Sequence, residues 1–507
     1  MPGAAMKTTK ILTCIVFLVA GAAVAQEPPS DKAETPEAKT WVTEHSARVG
    51  GKTIEYTATA GTMLMKNAED KPQALIGFTA YTKKGGDKRT RPIMFAYNGG
   101  PGSASLWLHM GVLGPQRAVV EDTGQGSKGP FNRVENAYSI IDETDLVMID
   151  PVGTGFAKPV GEGKGEDFWG VDQDIKSVSE FIVKYITENG RWASPKYILG
   201  ESYGGIRSGG VAYYLLTNHM MALNGVVLVS PFMDWGAGFA GMGLDLPHAM
   251  FIPTFAATAL YHGALDYQPE SLEAFMQEVR DFSLNEYAPA LLAGARLDPA
   301  MRRNVLAKLE RYTGLSQDYW DRANLRINEG RFNKELMREK GITAGRVDSR
   351  FAGNMINKVG ENMSYDPMLS AIGPGYLAAF MDYYRNDLEV EDVGNYTVFG
   401  NVFMQWDWGH AQPDLGGYKN PAPNTAIDLA HAMLQNPKMK VLVQQGYYDL
   451  ATPHLATEHF IDHMDIPDEL RNNITLEMYE AGHMMYIHEP SLVKFKDDLA
   501  RFIRDSR

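Results

Sequence analysis

Gly200-Glu201-Ser202-Tyr203-Gly204 sets a serine between two glycines. A serine hydroxyl is a poor nucleophile. Acyl chemistry on it needs a histidine to take its proton and a carboxylate to fix the histidine's tautomer and stabilise its cation. The chain supplies both downstream. Asp449 ends the run Val441-Leu-Val-Gln-Gln-Gly-Tyr-Tyr-Asp449, and His483 lies in Tyr479-Glu-Ala-Gly-His-Met484. Serine, then acid, then histidine is an established chain order for such a trio. A five-residue pattern with three fixed positions is weak evidence in a chain with 50 glycines, so its surroundings must decide. Asp234 is a second candidate for the acid. His454, His459 and His463 form a local cluster, but no His-Glu-x-x-His accompanies them, and a solvated helix face is the simpler reading. His488 has no strand before it.

The surroundings favour the serine. An apolar strand-like run, Lys196 to Gly200, precedes it, and a helix-compatible run, Ile206 to Ala222, follows. A tight strand-to-helix turn of this kind admits only small neighbours and lifts the hydroxyl clear of the backbone. Asp449 follows the apolar run Lys440 to Gln445, and His483 follows Thr475 to Tyr479, so both sit at strand ends. Further strand-like runs are Thr53 to Met65 and Ala74 to Lys83, read as an antiparallel pair, then Arg91 to Tyr97, Asp145 to Asp150 and Gly225 to Ser230. Short apolar runs of this kind fit parallel strands buried on both faces. Val171 to Glu188 and Thr425 to Gln435 read as helices between them. Alternating strands and helices imply an α/β fold with a central, mostly parallel sheet.

Residues 232–396 break that rhythm. They are charged, helical in pattern, and dotted with Met242, Met250, Phe251, Phe255 and Tyr261. This is the expectation for an inserted, mainly helical cap domain, with most of those apolar residues forming the cap's own core. The core fold is then split into residues 46–231 and 397–507. Ahead of it, residues 1–25 read as a signal peptide: Lys7 and Lys10, an apolar stretch from Ile11 to Ala20, and Ala23-Val-Ala25 as a cleavage site. Residues 26–45 read as a flexible leader, being rich in Pro, Glu, Lys and Ala from Gln26 to Lys39. An exported protein, periplasmic or extracellular, with no membrane span in the mature chain, is expected. Cys14, the single cysteine, lies within the signal peptide, so the mature chain has neither disulfides nor a thiol nucleophile. Lack of disulfides in an exported chain of this size points to a bacterial host. The formal charge of -14 opposes binding to nucleic acid or anionic lipid.

The turn Asn98-Gly-Gly-Pro-Gly-Ser-Ala-Ser105 resembles the Asn-Gly-Gly-Pro-Gly block of the serine carboxypeptidases, which have the α/β-hydrolase fold. Asp150-Pro-Val-Gly-Thr-Gly-Phe156, Gly200-Glu-Ser-Tyr-Gly-Gly205 and Ala481-Gly-His-Met484 are similar to three further blocks of that family, in the same order. The resemblance implies hydrolysis of a C-terminal peptide bond through an acyl-enzyme on Ser202, with a peptide substrate and no cofactor or metal. It implies an oxyanion hole from the backbone N–H groups of Gly100 and Tyr203. It also implies that Asn98, Gly99 and Glu201 bind the substrate's terminal carboxylate. Two carboxylates in contact must share a proton, which implies preference for acidic pH on peptides. The family's second glutamate is missing, because Val112 occupies its place in Val112-Leu-Gly-Pro115, and His109 is the nearest polar substitute. An esterase or acyltransferase on the same scaffold therefore remains an alternative, as does a binding protein that has kept the fold without the chemistry.

Overall fold

The computed structural model describes residues 37–241, 243–391 and 394–507. The segment read as a signal peptide lies outside them, as does Met242. The central sheet is built from β1 (Thr40–Val49), β2 (Lys52–Lys66), β3 (Pro72–Lys83), β4 (Ile93–Tyr97), β5 (Asp145–Asp150), β6 (Lys196–Glu201), β7 (Gly225–Val229), β8 (Lys440–Gly446) and β9 (Ile474–Tyr479). Their spatial order is β1-β2-β3-β5-β4-β6-β7-β8-β9. β1, β2 and β3 pair antiparallel, and β3 also meets β5 antiparallel. From β5 to β9 every neighbour is parallel.

Residues 40–45, assigned by composition to the flexible leader, instead form the first half of β1. The Pro/Glu/Lys-rich composition stops at Lys39. From Thr40 onward every second residue leans towards the sheet, ending in the buried pair Ala47 and Val49, and the strand pairs with β2 along its full length.

The parallel strands are buried on both faces because helices cover both. One face carries α1 (Val171–Glu188), α2 (Gly204–His219) and α5 (Ala426–Gln435), whose apolar stripes merge with Phe95, Ile198 and Val226 of the sheet. In α1 the stripe is Val171, Ile175, Val178 and Ile182, at the spacing of one helical face. The other face is closed by α4 (Pro367–Asn386) and α6 (Glu489–Asp505). α6 buries Leu492, Phe495, Leu499 and Ile503, each contributing about 1.5–3 kcal/mol of transfer free energy.

The chain between β7 and α5 is mainly helical, and its first part has a core of its own. There α3 (Leu246–Tyr261) places Met250, Phe251 and Phe255 among Phe275, Tyr312, Trp320 and Phe332. Phe255 and Phe332 stack at 4.0 Å. Tyr261 is half exposed and packs edge-on against Tyr448. α4 behaves differently: Tyr376, Phe380, Tyr383 and Tyr384 join the sheet's core rather than that of the insertion. Together these layers form an α/β-hydrolase fold with helices inserted after β7.

Candidate active site

Ser202 follows β6 directly, with φ of 64°. A left-handed serine is strained, and it persists because the turn is over-determined. The Ser202 N–H donates to Val229 O at 3.0 Å, and the Ser202 carbonyl accepts from Gly205 N–H at 2.8 Å and Phe232 N–H at 2.9 Å. These bonds fix the serine at the amino end of α2, where the helix dipole favours developing negative charge.

Asp449 and His483 meet beside it. His483 Nδ1 donates to Asp449 Oδ2 at 2.7 Å, which leaves Nε2 as the ring's proton acceptor. Asp449 is fully buried, and its other oxygen accepts from the N–H groups of Ala451 (2.8 Å) and Thr452 (2.9 Å). The Thr452 hydroxyl adds a bond of 2.7 Å to Oδ2. These donors fix the carboxylate in place against the ring. Burial disfavours the His483 cation, but Asp449 and Glu201 outweigh that and raise its pKa above the ordinary 6.5. Asp234, the alternative acid, instead caps a short helix by accepting from Gly236 N–H. His454 is buried and pairs with Glu458 rather than lying on a solvated face. The rings of His459 and His463 meet at 3.8 Å, tilted by 35°, and His488 bonds Ser491. Among the described residues no group of His, Cys, Asp and Glu side chains is arranged to hold a metal ion.

The glycine-rich turn after β4 lies against the serine's turn. A side chain on Gly99 would meet the backbone nitrogens of Tyr203 and Gly204 at 2.5 Å and the carbonyl of Glu201 at 2.7 Å, so only glycine allows this approach. Gly99→Ala is therefore expected to push the two turns apart and reduce kcat/KM at least tenfold while the far-ultraviolet spectrum stays native. Among the described residues, neither the Gly100 N–H nor the Tyr203 N–H has an internal acceptor, so both remain free to receive an oxyanion. The Asn98 side chain is locked: its Oδ1 accepts from Leu108 N–H at 3.1 Å, and its Nδ2 donates to Glu201 Oε1 at 2.8 Å. Glu201 Oε2 accepts from the Tyr486 hydroxyl at 2.8 Å. Burial pushes the Glu201 pKa up to about 7, against the opposing pull of His483 and Tyr486. Beneath this pair, Arg207 of α2 donates to the Asn98 carbonyl (2.8 Å) and to Asp174 of α1 (2.8 Å), with both side chains fully buried.

Val112 is buried and apolar and does not line the site. His109 does not stand in for the missing acid. It is buried among aromatics and bonds the Tyr81 hydroxyl at 2.5 Å, and burial lowers its pKa to about 3, so it is neutral.

A cavity of about 630 Å³ opens over these groups, lined by Asn98, Gly99, Gly100, Glu201, Ser202 and His483. Its walls include the aromatics Trp107, Phe232, Phe239 and Trp408, and the inserted region contributes Phe251, Arg346 and Leu369. The stretch from Arg346 to Ser349 also crosses both loops of the His–Asp pair. The Arg346 carbonyl accepts from Leu450 N–H (3.1 Å), the Val347 carbonyl from His483 N–H (2.8 Å), and Ser349 N–H donates to the Tyr448 carbonyl (3.0 Å). Asp348 accepts from Gly482 N–H at 3.1 Å and is held by Arg350. A side chain on Gly482 would strike Asp348 at 2.4 Å, which explains the glycine before His483. Tyr486, Thr452, Arg346 and Asp348 escaped the sequence reading. Only Thr452 carried a local signal, as a hydroxyl three residues after a loop aspartate.

A family model described as serine carboxypeptidase matches residues 65–486. Among solved structures, the chain is similar to Kex1(delta)p, a prohormone-processing carboxypeptidase from Saccharomyces cerevisiae. The two share 16% identity at a TM-score of 0.54, over 89% of this chain and 92% of that one, a likeness of fold. A proline iminopeptidase from Mycobacterium smegmatis aligns at 13% identity and a TM-score of 0.35, over 92% of this chain and 98% of that one. No curated protein matches the chain.

Proposed function

The chain belongs to the serine carboxypeptidase family, and from that premise we propose that Ser202, His483 and Asp449 cleave the last peptide bond of a substrate. The observation that carries this reading is the 2.7 Å bond from His483 to a buried Asp449, with His483 lining the same cavity as the strained Ser202. His483 Nε2 takes the proton as Ser202 Oγ adds to the carbonyl. The oxyanion is received by the N–H groups of Gly100 and Tyr203. His483 then protonates the departing amine, and water hydrolyses the acyl-enzyme by the same relay.

Asn98, Gly99 and Glu201 bind the terminal carboxylate. With a pKa near 7, Glu201 holds a proton below neutrality and can donate it to the substrate's carboxylate. Above that pH two negative charges face each other. The expected result is a kcat/KM for a blocked dipeptide that falls about tenfold per pH unit above pH 7. The fall disappears in Glu201→Gln and is absent for a simple ester lacking the carboxylate. A wild-type profile that stays flat above pH 7, or a fall that persists in Glu201→Gln, would remove Glu201 from this role.

Residues 232–396 act as a cap, a role supported by their contribution of Phe251, Arg346 and Leu369 to the cavity wall. Export to the periplasm or beyond is supported by the sequence of residues 7–25 alone. No helix among the described residues is long and apolar enough to cross a membrane.

The buried Val112 in place of a second acid keeps an esterase as the competing reading. The decisive comparison is a blocked dipeptide against its C-terminal amide, with Ser202→Ala beside them. Cleavage of the free acid alone supports the carboxypeptidase. Ser202-dependent hydrolysis of esters, without release of a terminal residue, supports the esterase.

A further inference from the structure

Arg346 lines the same cavity as Ser202 and His483. Among the described residues its guanidinium has neither a hydrogen-bond acceptor nor an acid within ion-pair distance. Yet its backbone is pinned on both sides. The N–H groups of Arg346 and Val347 donate to Asp366 at 2.9 and 3.0 Å, and the Arg346 carbonyl accepts from Leu450 N–H. A permanently charged, half-buried side chain, held on a rigid segment and left without a partner, is a preorganised anion receptor. Its flat fork of donors matches a carboxylate.

Other acids in the cavity do not answer it. Glu201 is committed to Asn98 and Tyr486. Glu329 sits in the first turn of the helix Glu329–Glu335, with its charge acting on His248 of the inserted helices. Arg346, by contrast, shares the cavity with Ser202 and His483, and the next residue, Val347, accepts from His483 N–H at 2.8 Å. The terminal carboxylate already has Asn98, Gly99 and Glu201, which leaves Arg346 for a second carboxylate on the same substrate.

We propose that Arg346 is a specificity-determining residue that binds an acidic side chain, glutamate or aspartate, on one of the two residues flanking the scissile bond. This rests on the carboxypeptidase reading of the same cavity. The two could fail separately, because the preference is measured as a ratio between substrates within each enzyme.

The test uses the full chain without its signal peptide and six blocked dipeptides, carrying glutamate, glutamine or lysine at either of the two positions. Each is assayed by kcat/KM at pH 6 with wild type, Arg346→Met and Arg346→Glu. The expected result is a preference for glutamate over glutamine of about tenfold to a hundredfold at one position. It collapses to near unity in Arg346→Met and inverts in favour of a lysine dipeptide in Arg346→Glu. In wild type it weakens with added salt. Equal rates for glutamate and glutamine at both positions would overturn the proposal, as would a preference that survives in Arg346→Met. If Arg346→Met instead lowers every free-acid substrate by one common factor, the guanidinium serves the terminal carboxylate and the side-chain assignment is wrong. Release of the last residue from a neutral dipeptide, lost in Ser202→Ala, keeps the carboxypeptidase reading intact whichever way the ratio falls. No release from any dipeptide would sink both.

Discussion

Ser202→Ala is expected to reduce kcat on a blocked dipeptide by about 10⁴- to 10⁶-fold, and Asp449→Asn by about 10⁴-fold. The two losses have different origins. Alanine removes the atom that forms the acyl-enzyme. Asparagine keeps the shape of the carboxylate, but it cannot stabilise the imidazolium, and its amide can turn the ring to the wrong tautomer. Asp449 receives donors from Ala451, Thr452 and His483, so an amide there leaves a donor facing donors. The residues act as one unit, so adding His483→Ala to Ser202→Ala should cost little more than the serine alone. Steady-state rates on one substrate, with active-site titration of the wild type, check all three. A loss below tenfold in Ser202→Ala would mean that another nucleophile does the work.

The second large effect concerns stability. Asp174→Ala leaves the Arg207 guanidinium fully buried without its carboxylate. Breaking one side of such a pair costs about 3–5 kcal/mol. A chain this long has an unfolding entropy near 1 kcal/mol/K, so Tm should fall by about 3–5 °C. The rings of Tyr97 and Tyr203, 4.9 and 5.5 Å from the guanidinium, soften this loss without replacing the charge. Replacing both partners, as Asp174→Leu with Arg207→Met, should restore much of the stability. It should not restore activity, because Arg207 also holds the Asn98 carbonyl and with it the turn that faces Ser202. Scanning calorimetry and kcat/KM on the same samples separate the two effects. An unchanged Tm in Asp174→Ala would show that the pair contributes nothing, and full activity in the double variant would show that Asn98 is placed by other contacts.

The sequence made legible those parts of the fold where periodicity and turn chemistry agree. Runs such as Asp145 to Asp150 and Gly225 to Ser230 are apolar throughout because helices cover both faces of the sheet, and they match β5 and β7 to within a residue. Val171 to Glu188 carries a stripe at helical spacing and is α1 from end to end. β1 was missed because it is an edge strand. Its outer face carries Glu44 and Arg48, and its inner face mixes Trp41 with the polar Thr43 and His45 before Ala47, so no clear apolar alternation separates it from a polar leader. α4 was read with the cap from its chain position; it contributes Leu369 to the cavity wall, and only packing reveals that its aromatics also join the sheet's core.

At the candidate site, residues bound into short glycine-containing blocks were singled out, since tight turns leave a mark in sequence. Tyr486 and Arg346 were not. Tyr486 acts on Glu201, a residue 285 positions away in the chain, and Arg346 reaches the cavity from a segment without any recognisable pattern. Contacts of that kind depend on tertiary placement, which no window of sequence contains.

The stretch from Arg346 to Ser349 bears on how such an enzyme can diverge. A lid that merely covered its cavity could be shortened, exchanged or lost between lineages while the machinery beneath went on working. Here one short peptide from the inserted region is tied by backbone bonds to the loop carrying the acid and to the loop carrying the base. The inserted region therefore cannot be inherited as a detachable module. A descendant or chimera that acquires a different lid must keep this peptide together with the two loops it joins, or rebuild the bracing from elsewhere. New specificities would then arise by changes around that fixed point, in the helices before it that pack on a core of their own, because α4 after it is committed to the sheet.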